Sequence, residues 1–124
     1  MFKIRNKSIS NNSRCYITFE AGPTHRGYKS AKKLIKYAAQ AGADAIKFQI
    51  LDAERLIQDK NQMFEFKILI DKNKNKTKTV KKKLYDLIKE RSLKKTEWAK
   101  LRKYAEKFNI AFFATIAFED EINF

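Results

Sequence analysis

Cysteine, histidine, proline and tryptophan each occur once in this chain of 124 residues, and glycine three times. Each scarcity excludes something. A lone cysteine, Cys15, rules out an internal disulfide framework and fits a reducing compartment. One histidine and one cysteine are too few for a structural zinc site built from this chain alone. No CxxC pair, HExxH or EF-hand pattern occurs, and GPTHRG at 22–27 lacks the ending of a phosphate-binding loop. No run of apolar residues reaches the roughly 18 of a membrane span. The opening MFKIRNKSISNNSR has no apolar core of a secretory signal. The expectation is a cytoplasmic protein without membrane contact.

Acidic residues are also scarce. Lysine and arginine number 28 against 14 acids, a formal charge of +14. Such a balance permits binding to RNA or another polyanion. The plainer reading is a solvated face, because many lysines fall in KNKNKTKTVKKK at 72–83, interleaved with Asn and Thr. Nucleic-acid binding is therefore the lesser reading of the charge. Apolar residues make up 44%, enough for the packed core of one domain.

Along the chain, 4–9 reads as a short strand, SNNS at 10–13 as a turn and CYITF at 15–19 as a strand. From Ser30, Ala31, Leu34, Ile35, Ala38 and Ala41 recur at helical spacing, with Gly42 as the stop. AIKFQI at 45–50 is again a strand. Strand, helix and strand with short connections suggest a parallel βαβ unit. One helical turn is expected at 53–57, and MFEFKILI at 63–70 has strand propensity and suits an insertion or lid. DKNKNKTKT at 71–79 is expected to be a flexible lysine-rich loop. VKKKLYDLIKE at 80–90 and residues 96–108 read as helices, the second burying Trp98, Leu101, Ala105 and Phe108. Continuous apolarity in IAFFATIAF at 110–118 fits a buried parallel strand, and Glu119 suits the first turn of another helix.

This inventory gives about three βα units. A closed (β/α)₈ barrel takes roughly 250 residues, so the fold is either a small open α/β sheet or the front part of something larger. In parallel α/β folds the chemistry gathers at the carboxyl ends of strands. Glu20 lies just past the first such strand. Lys47 and Gln49 share side-chain parity on the second, opposite to Ile46, Phe48 and Ile50. A lysine in a buried strand needs an anion or carboxylate, or else sits on an edge and snorkels. Glu20 could pair with Lys47, structurally or to serve a substrate. His25 could donate to a substrate oxygen or move a proton near neutral pH, although a lone loop histidine is more often structural. Arg26 could attract a phosphate or simply be exposed.

These residues resemble a known pattern. EAGPTHRG at 20–27, AKKLIKYAAQAGADAIKFQ at 31–49, AERL at 53–56 and an apolar ending near FFAT are similar, in that order, to the N-terminal catalytic region of the N-acetylneuraminate (sialic acid) synthase family. The resemblance covers about residues 15–121. It implies an α/β fold, the N-terminal portion of a TIM barrel, incomplete, with residues 1–124 as a partial barrel domain. It implies a transferase that condenses phosphoenolpyruvate with an N-acetylated amino sugar and releases phosphate. Water attacks C2 of the enolpyruvate while C3 attacks the sugar aldehyde.

A divalent metal, typically manganese, serves the full-length family enzyme, and its histidine ligands belong to later strands. A homodimer is implied for a full-length member. By motif position Glu20 falls on the family's active-site glutamate, Lys47 on the lysine that contacts phosphoenolpyruvate, and Gln49 on the glutamine near the amino sugar. Thr115 falls near the threonine of an STPF motif. Two departures stand out. The usual Asn-His-Asn is Thr24-His25-Arg26 here, and STPF has become ATIAF. The sequence is thus expected to be a fragment or truncated frame without appreciable activity of its own. The alternatives are a non-enzymatic basic α/β module binding RNA or another polyanion, and a remnant that folds poorly.

Overall fold

A computed structural model describes residues 1–123. At its centre lies a parallel three-stranded sheet. Strand β3 (Thr18–Gly22) pairs with β4 (Ala45–Gln49), which pairs with β7 (Ala111–Thr115). Helix α1 (Tyr28–Gln40) connects the first two strands. A longer crossover joins β4 to β7 through α2 (Ala53–Leu56), an antiparallel ribbon of β5 (Met63–Asp71) and β6 (Lys76–Lys83), α3 (Leu84–Lys89) and α4 (Lys95–Glu106).

The alternation in β4 explains the layering. Ile46 and Phe48 point to the helices and are fully buried. They meet Ala31, Ile35 and Ala38 of α1 and Trp98, Leu101 and Ala105 of α4. Burying one such large side chain is worth about 1.5–3 kcal/mol. Phe48, Trp98 and Phe112 also form a set of angled ring contacts at 5.6–6.4 Å. The opposite face of the sheet carries Glu20, Lys47 and Gln49, and nothing among the described residues covers it as α1 and α4 cover the first face.

The helix stops where expected. Gly42 has φ of 84° and its N–H donates to the Ala39 carbonyl, so the left-handed turn into β4 needs this glycine. Gly27 at the N-cap of α1 has φ of 87°.

Several elements differ from the sequence reading. Residues 4–9 are not one strand. Strands β1 (Phe2–Ile4) and β2 (Lys7–Ile9) form a hairpin that turns at Arg5, a left-handed residue with φ of 55°. CYITF starts its strand late, at Thr18: the Ile17 N–H goes to the Asp44 carboxylate instead of a ladder carbonyl. The 71–79 loop is shorter than expected. Its second half, Lys76–Thr79, belongs to β6, paired residue by residue with β5, and Val80–Lys83 extend that strand instead of starting a helix. Helix α3 therefore begins at Leu84. Strand β7 is covered on one side only, leaving Phe113 44% exposed. Glu119 opens a 3-10 turn, Glu119–Asn123. No helix among the described residues is long and apolar enough to cross a membrane.

Candidate active site

The carboxyl ends of β3, β4 and β7 bring four of the five expected residues to one face. Register places Glu20 beside Lys47 and, two residues further on, Gln49 beside Thr115. Lys47 Nζ donates to Glu20 Oε2 at 2.8 Å. The other oxygen, Oε1, accepts the backbone N–H of Gly22 at 2.9 Å, across a bulge in β3. Gly22 has φ of 49°, and a Cβ there would stand 3.5 Å from that same oxygen. The glycine thus lets the strand curl onto the carboxylate and fixes its aim.

Both partners stay partly wet, with the Lys47 side chain 33% and the Glu20 side chain 53% exposed. A pair at such exposure contributes about 0–1 kcal/mol to stability. Its consequence is chemical. An ammonium is held, partly open, at the end of a parallel strand, where an incoming anion can share it.

His25 departs from the expectation. Its side chain is fully buried, with its ring 5.8 Å from those of Phe48 and Trp98, on the helix side of the sheet. Among the described residues neither ring nitrogen has a hydrogen-bond partner, and the same is true of Trp98 Nε1. Burial, with the nearby Arg91 charge, lowers the His25 pKa from its ordinary value. An imidazole sealed in this way cannot donate to a substrate or relay a proton to one in this arrangement; it fills the core beneath the loop. Arg26 is exposed.

Two residues that shape the site escaped the sequence reading. Arg91 Nε donates to the Pro23 carbonyl at 2.7 Å, tying the loop to the end of α3. Asp44, just before β4, is 2% exposed and anchors the far end of the sheet. It accepts from the Ile17 N–H at 2.8 Å, from Arg14 and from Lys7. Burial alone would raise its pKa, but these donors outweigh burial and hold the carboxyl well below the usual range. A signal existed for it, since an acid placed directly before an apolar strand is costly without cations nearby. Beyond β7, Arg55 makes a two-pronged pair with Asp120 at 2.8 and 2.9 Å and lies over the Phe118 ring. That contact ties α2 to the segment leaving β7.

No group of three or more His, Cys, Asp or Glu side chains is gathered among the described residues. The available donors also do not suit a metal. His25 is walled in by aromatic rings, and the Glu20 oxygens are engaged by Lys47 and Gly22.

Comparison with known proteins decides the family. The NeuB family model matches residues 34–124. The chain belongs to the NeuB family. Relatives align over about half to nearly all of the chain. N,N'-diacetyllegionaminic acid synthase of Legionella pneumophila is 29% identical over 119 residues, 95% of this chain and 32% of that protein. The spore coat polysaccharide biosynthesis protein SpsE of Bacillus subtilis is 45% identical over 58 residues, 46% of this chain and 16% of that protein. Among solved structures, N-acetylneuraminic acid synthetase of Leptospira borgpetersenii, in complex with citrate, superposes with a TM-score of 0.70 at 28% identity, covering 98% of this chain and 36% of that one.

The chain thus spans at most about a third of these relatives. The expected fold is borne out: an α/β architecture of βα units that corresponds to part of a sialic acid synthase barrel. The synthases among the relatives make this an enzyme family of sugar-acid biosynthesis. Lys47, Gln49 and Thr115 fall inside the NeuB match, whereas Glu20 and His25 precede it but lie within the longer alignments.

Proposed function

We propose that this chain forms the phosphoenolpyruvate-binding wall of a synthase that joins phosphoenolpyruvate to an N-acetylated amino sugar and releases phosphate. The observation that carries the reading is the Lys47–Glu20 pair at the ends of adjacent parallel strands, with Gln49 and Thr115 in register beyond it. Phosphoenolpyruvate brings a phosphate and a carboxylate close together, and a fixed ammonium is suited to such an anion. Lys47 anchors it. Glu20 holds the ammonium in place before the ligand arrives and accepts from it afterwards. The Gln49 amide and Thr115 hydroxyl supply directional donors and acceptors for the second substrate and for the phosphate.

Manganese, expected for the full-length enzyme, does not fit the residues present; its ligands would come from further strands. The closed site would likewise need those strands, so the 124-residue chain by itself is proposed to bind without turning over.

Two measurements test this. Titrating phosphoenolpyruvate into the labelled chain should shift the amide signals of residues 20–22, 47–49 and 115, and Lys47→Ala should abolish those shifts. Shifts that survive the substitution, or that scatter over the surface, would sink the reading. Phosphate release from phosphoenolpyruvate, N-acetylmannosamine and manganese should stay at the level without protein. Release that requires Lys47 would show instead that the chain is active by itself.

A further inference from the structure

We propose that the β5–β6 ribbon is a binding surface for single-stranded nucleic acid. The lysine-rich stretch is not a loose loop. It is one strand of a two-stranded ribbon whose pairing sorts its side chains onto two faces. One face sets Phe64 opposite Lys82, Phe66 opposite Val80 and Ile68 opposite Lys78, with Lys76 next in line on the same side of β6. The Phe64 and Phe66 rings are stacked, 5.8 Å apart and inclined by 26°, and Phe64 is 47% exposed. A stacked pair of rings, Phe64 exposed and Phe66 half-buried, with lysines beside it has the two parts that sequence-tolerant single-strand binding uses: a surface for bases and cations for the backbone.

The charge is available for a partner. Residues 63–83 hold eight lysines against two acids. Lys81 is paired with Glu65 and Lys82 with Glu90, while Lys83 donates to Asn61. The remaining five, Lys67, Lys72, Lys74, Lys76 and Lys78, make no ion pair within the described residues. Of these, Lys76 and Lys78 stand about 7 Å apart on the ring face, while Lys72 and Lys74 lie in the turn beside it and Lys67 on the opposite face.

Other occupants fit less well. The ribbon's tip is Asp71-Lys72-Asn73-Lys74-Asn75, closed by Asp71 accepting from the N–H groups of residues 73 and 74. With no apolar residue there, it does not suit insertion into a bilayer. A second copy would bring like charge against like charge. A linear polyanion with flat, stackable groups matches both the row of cations and the rings.

The experiment is fluorescence anisotropy of the full chain with labelled oligo(U) and oligo(dT) of roughly 12 nucleotides, at about 50 and 200 mM salt. Binding should weaken as salt rises. Lys76→Glu with Lys78→Glu should cost about tenfold or more and flatten the salt dependence. Phe64→Ala should cost roughly fivefold and leave the salt slope unchanged, because it removes stacking and no charge. Lys72→Glu with Lys74→Glu, at the turn, should also weaken binding without touching the strand pairing. Circular dichroism should show every variant folded. The proposal is overturned if no binding is seen at the lower salt, if Phe64→Ala binds as the parent does, or if polyglutamate or phosphatidylglycerol vesicles compete as well as the oligonucleotides.

Discussion

Replacing Asp44 with asparagine keeps the shape of the side chain and removes its charge from a site that is 2% exposed. One carboxylate there serves the Ile17 N–H, Arg14 and Lys7 together. An asparagine can still accept from Ile17, but its amide turns a donor toward a guanidinium and an ammonium. Charge-assisted hydrogen bonds contribute about 1.5–3 kcal/mol each. The Arg14 side chain is 60% and the Lys7 side chain 34% exposed, so both can rehydrate and their share is discounted. A net loss of about 2–3 kcal/mol follows, which for a domain of this size lowers the melting temperature by roughly 10 °C.

The pH dependence carries the same signature. The folded pKa of Asp44 lies far below its ordinary value of about 3.9. Its contribution is therefore complete above about pH 5 and drains away as the pH falls through 4 toward the folded value. The Asp44→Asn variant should lack that part of the acid limb. Thermal unfolding followed by circular dichroism from neutral pH to about pH 3 checks both points. A variant melting within about 2 °C of the parent at neutral pH would refute the assignment of Asp44 as the anchor.

Other outcomes follow from the same geometry. His25→Phe should be neutral or stabilising by about 1 kcal/mol, because two buried nitrogens without partners are replaced by a carbon ring. Since the lowered His25 pKa makes the parent lose stability as pH falls below about 6.5, His25→Phe should also flatten the melting temperature between about pH 7 and 5. A steep profile in that range for the variant would contradict it. Gly27→Ala should destabilise by about 1–2 kcal/mol through its left-handed backbone alone, since the nearest atom to a new Cβ is 3.9 Å away; urea unfolding with an unchanged m-value and a lower midpoint is the expected result.

Hydrophobic periodicity made α1, β4, α4 and β7 legible, because each buries one continuous stripe against the same core. The parity of Lys47 and Gln49 likewise put them on the open face, and the structure adds Glu20 and Thr115 by register. Where the sequence misled, the determining contact was non-local. Nothing apolar alternates in KNKNKTKT, so only pairing with β5 makes its second half a strand. Arg5 is an ordinary residue in a left-handed turn, and no glycine or asparagine at that position announces the β1–β2 hairpin. His25 sits among Pro, Thr, Arg and Gly, which reads as a rim, yet α4 brings Trp98 over it and closes it in.

The β1–β2 hairpin also constrains the order of events during synthesis. Arg5 Nη1 donates to the Ile110 carbonyl at 2.8 Å, a contact spanning 105 positions. A ribosome emits about 5–20 residues per second, so the arginine waits several seconds or more for its acceptor to appear. Lys7 can reach Asp44 much sooner. Among the described residues the hairpin is therefore tethered early through Asp44 while the crossover is made, and the Arg5 contact closes only when Ile110, just before β7, takes its place. A loop of that length pays its closure entropy late, and the turn into β7 is what fastens the first hairpin.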